Sequence, residues 1–373
     1  MPKDAARATP ALLDPADLSP ASRALLRDWL ALQRQLALAP GRAAELLRRS
    51  GDPRAAIGRG SRANIHQLDA DIEALCRSGC VALPLLSPLY PWRLANLADP
   101  PPLLSVRGAL ATLQAPSIAI VGARAATVYG LGVARQLAAD FARAGVVVIS
   151  GLALGIDAAA HRGALEGGGR TLAVLPCGLD RVYPASHRRL AAAIARDGAL
   201  ISELPLGMGV RRPFFALRNR LISGLASALV VVEARERSGS LITAGHAADQ
   251  GIDVFAVPGP ITAATSAGPN RLLRDGAGVA LSAADVLEAL GLAAVGGGPA
   301  APKAVLPESG EQREILALLE RELLGRDALG RRLGRAPEVL AADLLELELG
   351  GWIAEDRDGR LRVRRSVVTE AGA

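Results

Sequence analysis

Between residues 117 and 290 the chain repeats one grammar: a short run of β-branched and aliphatic residues, a turn carrying Gly, Pro or Ser, then an amphipathic stretch. The runs fall at 118–121, 146–150, 171–175, 200–203, 229–233 and 254–257. Strands that are apolar throughout, rather than at alternate positions, are buried on both faces. When helices separate them, the sheet is parallel and covered on both sides. The expected fold class is therefore α/β, built on a doubly wound parallel sheet.

The flanks read differently. Residues 1–21, rich in Ala, Pro and Asp without helical periodicity, read as a disordered tail. Residues 22–80 read as a small helical domain of the SAM or helix-hairpin-helix kind. Leu25, Leu26, Trp29, Leu32 and Leu36 share one face, and Gly41 and Ser50-Gly51-Asp52-Pro53 break the region into short helices. The main domain is expected over 81–292, entered through a proline-rich extended connection at 81–108. Residues 293–310 read as a Gly/Pro/Ala-rich linker.

Residues 311–368 read as a winged-helix domain, with helices at 311–323, 327–333 and 337–349 and a hairpin turning at Asp358-Gly359. Ser309 and Gln312 form a candidate capping box for the first helix. The third helix carries Glu338, Asp343, Glu346 and Glu348 and no basic residue, so it would repel a phosphate backbone. Arg331, Arg332 and Arg335 before it, and Arg357, Arg360, Arg362 and Arg364 in the hairpin, work the other way. Protein contact or a structural role is favoured over sequence-specific DNA reading.

Composition narrows the function. With 373 residues, two or three domains are expected. Lys and Arg outnumber Asp and Glu by 43 to 37, a net +6 that hints at a polyanionic partner. No apolar run approaches the ~20 residues of a membrane span, and no secretory leader is apparent at the start. An odd count of three cysteines points to a reducing cytoplasm. Cys76 and Cys80, with His66 upstream, lack a fourth ligand for zinc and read as core cysteines. No metal or cofactor is expected.

The chemistry is expected at the turns, where helix N-termini present free N–H groups beyond the strand ends. The first turn carries Gly122, Arg124 and Thr127, without the G-x-G-x-x-G fingerprint of a dinucleotide site. The second carries Gly151 and Gly155, followed by Asp157 and His161. Four apart on one helical face, these last two fit either an acid–base pair or, with no nucleophile near, structural capping. The third group holds Arg211, Arg212, Phe214, Phe215, Arg218, Asn219 and Arg220. Its arginines suit phosphates and its rings suit bases, though the same residues would also serve as core plugs and ion pairs. The fourth turn, with Ser238, Gly239, Ser240 and Thr243, resembles a phosphate cradle without the Lys of a P-loop. Pro258-Gly259-Pro260 and 266–271 complete the rim. Together these turns outline a basic groove.

The segments VGARAATVYG, SGLALGIDAAAHRGAL, RNRLISGLA, EARERSGSLITA, VPGP and SAGPNRLLRDGA resemble those of the DNA-processing protein A (DprA/Smf) family, over about 84–290. The helical front and winged-helix end fit that family's three-part layout. The resemblance implies an extended Rossmann-like domain that binds single-stranded DNA, protects incoming strands during natural transformation and loads the RecA recombinase. It also implies a homodimer and no catalytic activity.

By position, Gly122 and Arg124 stand in the family's Gly-Ser-Arg turn, with Ala123 in place of Ser. Gly151, Gly155, Asp157 and His161 match S-G-x-A-x-G-I-D-x-x-A-H, with Leu154 where some relatives have a basic residue. Arg218, Asn219 and Arg220 match R-N-R, and Ser238, Gly239, Ser240 and Thr243 match S-G-S-L-I-T. Arg124, Arg218 and Arg220 are then expected to hold phosphates, with Phe214 or Phe215 stacking a base. The alternative is a Rossmann-like phosphoribohydrolase, whose P-G-G-x-G-T-x-x-E signature is missing at Pro258-Gly259-Pro260. A purely scaffolding role is a third reading.

Overall fold

The structure, a computed structural model, describes residues 13–15, 19–57, 64–292, 309–356 and 358–363. The chain forms two compact units: Met1–Cys76 with Val81–Leu104 and Ala301–Ala373, and Arg77–Cys80 with Ser105–Ala300.

The first unit opens with helices α1 (Pro20–Leu36), α2 (Pro40–Ser50), α3 (Pro53–Ile57) and α4 (Ile65–Ser78). Prolines stand in the first turns of α1 and α2, where a missing N–H is harmless. Gly51, at φ 67°, ends α2 in the left-handed conformation. Leu26, Trp29, Leu32, Leu47, Ile72 and Leu75 form the core. Most of 1–21 lies outside the described residues, but Leu13 is fully buried and bridges to Ala82. Within the proline-rich connection lie β1 (Val81–Pro84) and α5 (Trp92–Ala95), and it ends in β2 (Leu103–Gly108). Cys76 is exposed at the end of α4 rather than in a core.

The second unit runs β3 (Ser117–Val121), α6 (Val128–Arg143), β4 (Val147–Ser150), α7 (Ile156–Glu166), β5 (Thr171–Val174), α8 (Arg188–Asp197), β6 (Ala199–Ser202), α9 (Arg212–Leu225), β7 (Ala228–Val231), α10 (Gly239–Asp249), β8 (Asp253–Ala256), α11 (Ala267–Arg274), β9 (Gly278–Val279) and α12 (Ala283–Ala289). Within it the strand order is β2-β6-β5-β4-β3-β7-β8-β9. All neighbours pair in parallel except β2 with β6, which are antiparallel. The six strands β5-β4-β3-β7-β8-β9 follow the Rossmann order 3-2-1-4-5-6, lengthened at one edge by β6 and β2. The expected α/β class stands. β3 to β7 are buried throughout because helices cover both faces, with Ile118, Ile120, Val148 and Val230 packing on Leu137 and Phe141 of α6. Helices α6 and α7 pack so closely that a Cβ at Gly163 would lie 2.1 Å from the Arg135 carbonyl oxygen.

The first unit closes with α13 (Gly310–Leu319), β10 (Leu324–Gly325), α14 (Arg326–Leu333), α15 (Pro337–Leu349), β11 (Ile353–Glu355) and β12 (Arg360–Val363). The three strands form an antiparallel sheet with β12 central, the layout of a winged helix. The linker residues 293–308 lie outside the described residues. The expected capping box does not form: Ser309 accepts from Glu311 N–H, while the Gln312 side chain bonds Glu346.

Nor is Arg362 a wing residue reaching for solvent. It is buried, pairs with Asp356 at 3.0 Å, and donates to the Leu85 and Ser87 carbonyls at 2.8 Å. Burial pushes its pKa down against the pull of Asp356. The Arg48–Asp358 pair, at 2.8 Å, adds a second tie between wing and helical module.

Candidate functional site

Strand β3 lies between β4 and β7: the chain builds β4, β5 and β6 to one side of it, then returns to build β7, β8 and β9 on the other, and ligands of open α/β sheets bind at such a switch. There a cleft of about 340 Å³ opens. Its walls are residues 121–125 after β3, Ala153 and Asp157 after β4, Phe215, Arg218, Asn219 and Ile222 of α9, and residues 235, 237–240 and 243 at the head of α10. Four arginines line it (Arg124, Arg218, Arg235 and Arg237) against one carboxylate, Asp157.

That carboxylate faces inward. Its Oδ2 accepts the N–H groups of Gly151 at 3.1 Å and Ala153 at 3.3 Å, so it clamps the β4 turn. Burial pushes its pKa up, opposed by the Arg218 charge and these two N–H groups. Arg218, 4% exposed, donates to the Val174 carbonyl at 3.0 Å. Burial pulls its pKa down to about 10, which still leaves it charged at neutral pH. A desolvated cation in a cleft wall is stabilised by any anion that enters. Arg124 is exposed and lies over the Phe215 ring, 4.6 Å from its centroid.

The glycines divide into two kinds. A Cβ on Gly151 would lie 1.4 Å from Arg218 Nη1, one on Gly155 would lie 2.2 Å from the Ala123 carbonyl, and one on Gly122 would lie 2.6 Å from Ile156. These three make room for the protein itself, not for a ligand. Gly239 has nothing within 4 Å. It opens α10 behind its N-cap, Ser238, whose Oγ accepts from Ser240 N–H, and it places a helix N-terminus in the cleft with its face clear.

Of the residues singled out from sequence, Gly122, Arg124, Asp157, Phe215, Arg218, Asn219, Ser238, Gly239, Ser240 and Thr243 line the cleft. The others do not. Thr127 caps α6, and its N–H and hydroxyl donate to Glu233 at 2.9 and 2.5 Å. The Glu233 carboxylate thereby fills the helix N-terminus expected to take a phosphate. Arg220 points away from the cleft, buried against Glu203. Phe214 is buried, and Arg211 and Arg212 are exposed at the start of α9, outside the cleft wall. Gly151 and Gly155 lie behind it. His161 caps nothing; its Nδ1 pairs with the Thr171 hydroxyl at 2.7 Å in the core. Sequence reasoning passed over Arg235 and Arg237 as lining residues, although both stood inside a motif already noted.

Burial lowers the His161 pKa from 6.5 to about 3, with Arg218 adding to the effect. The folded protein therefore refuses a proton that the unfolded chain accepts. This contribution to stability is complete above pH 6.5 and declines as the pH falls towards about 3. The slope reaches at most about 1.4 kcal/mol per pH unit. Asp157, whose pKa burial raises, acts in the opposite sense in acid. Urea unfolding between pH 4 and 7 is expected to show a shallower acid decline in His161→Gln than in the parent.

Residues 82–291 match the family described as DNA recombination-mediator protein A, and 299–359 match the DprA winged helix domain. The chain belongs to the DNA recombination-mediator protein A family. It is 40% identical over 293 residues to Protein Smf of Escherichia coli (strain K12), spanning 76% of this chain and 78% of that protein. The X-ray structure of DprA from Streptococcus pneumoniae superposes with a TM-score of 0.59 at 34% identity, covering 71% of this chain and 92% of that one. The DprA of Helicobacter pylori, whose structure describes a single-stranded DNA binding mode, gives 0.50 at 31% identity over 54% and 92%. Among the described residues of this DprA family member, no helix is long and apolar enough to cross a membrane.

Proposed function

We propose that this DprA-family chain binds single-stranded DNA in the cleft at the switch point and passes it to RecA recombinase during transformation and recombination. It would act as a cytoplasmic homodimer without catalysing a reaction. The observation that carries the DNA reading is the cleft itself. Arg124, Arg235 and Arg237 stand at its mouth with no carboxylate partner among the described residues, beside the uncovered N-terminus of α10. A polyphosphate backbone is the ligand that such spaced, exposed guanidinium groups fit. The one lining carboxylate is spent on the β4 turn, which favours holding a strand over proton transfer.

Contacts to backbone and ring faces give little sequence preference and a steep dependence on salt. Arg124→Ala is expected to weaken binding of an oligothymidylate about tenfold at moderate salt. It should also flatten the plot of log affinity against log salt by about 0.7. Fluorescence anisotropy across a salt series reads both. Curves that superpose on the parent's would remove Arg124 from the interface, and with it this reading of the cleft.

A further inference from the structure

The chain has ten aromatic residues, three Trp, three Tyr and four Phe, and most are spent on cores. Trp29, Tyr90, Phe141, Phe214, Phe255 and Trp352 are buried. A large ring left in water forgoes the favourable burial that the others obtain. Two stand out in that respect, Tyr129 at 56% and Tyr183 at 42% exposure.

Tyr183 adjoins the cleft by direct contact. Its ring meets Phe215 edge-on, with centroids 5.8 Å apart and planes at 70°. Phe215 in turn carries the Arg124 guanidinium over its ring. One strip thus runs cation, ring, ring, outward from the arginine wall.

The segment that bears Tyr183 is anchored. His187 Nδ1 bonds the Leu152 carbonyl at 3.0 Å, Gly178 N–H bonds the Met208 carbonyl at 3.0 Å, and Cys177 and Leu179 are buried. The ring is therefore held beside the cleft rather than swinging on a loose tip. Phe215, half-buried, is already engaged by both Arg124 and Tyr183. Of the two rings, Tyr183 keeps the greater open surface.

We propose that Tyr183 is the stacking platform of a base subsite that adjoins the arginine cleft, taking an unpaired nucleobase whose phosphate lies on Arg124. This rests on the reading of the cleft as a site for single-stranded DNA. It moves the stacking role from the phenylalanines to a tyrosine contributed by a different turn. A ring face accepts any base, so the subsite adds affinity without sequence choice.

The test compares a 20-mer of thymidylate with a 20-mer of abasic residues, equal in phosphates, by anisotropy at one salt concentration. Tyr183→Ala is expected to lose affinity for the thymidylate on the order of tenfold while changing abasic binding little. Tyr183→Phe is expected to restore the parent's affinity, since stacking needs the ring and not the hydroxyl. Arg124→Ala should weaken both oligomers. If Tyr183→Ala leaves thymidylate binding unchanged while Arg124→Ala lowers it, the subsite is wrong and the cleft reading survives. Equal losses on both oligomers, or a loss that Tyr183→Phe does not recover, also overturn the stacking role. If the parent binds neither oligomer, both readings fall together.

Discussion

Arg220→Ala is expected to lower the free energy of unfolding by about 3–5 kcal/mol, the usual effect of removing one partner of a buried ion pair. Arg220 and Glu203 each have side chains only 5% exposed, and the Arg220 guanidinium donates to the Glu203 carboxylate inside the second unit. Truncation takes the guanidinium from that buried carboxylate and leaves it desolvated. Urea unfolding checks the prediction, and a loss below about 1 kcal/mol would mean that water reaches Glu203. Under conditions where the variant stays folded, the salt slope of oligonucleotide binding should match the parent's. A flattened slope would return Arg220 to the binding surface. The paired change Arg220→Met with Glu203→Leu should recover much of the stability, because replacing both charges leaves neither one stranded.

Arg362→Ala should be comparably severe, about 3–5 kcal/mol, and confined to the first unit. The guanidinium balances Asp356 and donates to the Leu85 and Ser87 carbonyls at once, so its removal takes the counter-charge from a buried carboxylate and the donor from the Leu85 carbonyl, while the Ser87 carbonyl keeps the Tyr90 N–H. Asp356 also accepts the Asp358 and Arg360 N–H groups, so the hairpin turn should loosen with it. Limited proteolysis near 353–363 and a lowered unfolding midpoint are the expected signs. Full protection of that hairpin in the variant would show that the apolar contacts of the wing suffice.

The sheet was readable because continuous burial on both faces writes its own signature: the six expected strands lie within one or two residues of those observed. β2 escaped because it is the antiparallel strand, hidden among prolines that read as a connection. In R-N-R, Arg218 and Arg220 looked equivalent, yet two residues turn a helix by about 200°, so they must face opposite ways. The period held that information, but which arginine met the cleft depended on Glu203, which lies distant in sequence. Thr127 was similarly misplaced because the carboxylate that fills its helix end comes from after β7. The contact of Tyr183 with Phe215 was out of reach as well, since no spacing encodes it.

The seat of Arg218 against the bare backbone of Gly151 carries a lesson for descent. A methyl at 151 and a long arginine at 218, held on the Val174 carbonyl, cannot coexist in this arrangement. In relatives of this chain the two positions are bound to change as a couple. Wherever evolution has put a side chain at the first, the second should be found shortened or turned elsewhere, and the cationic wall rebuilt from another quarter.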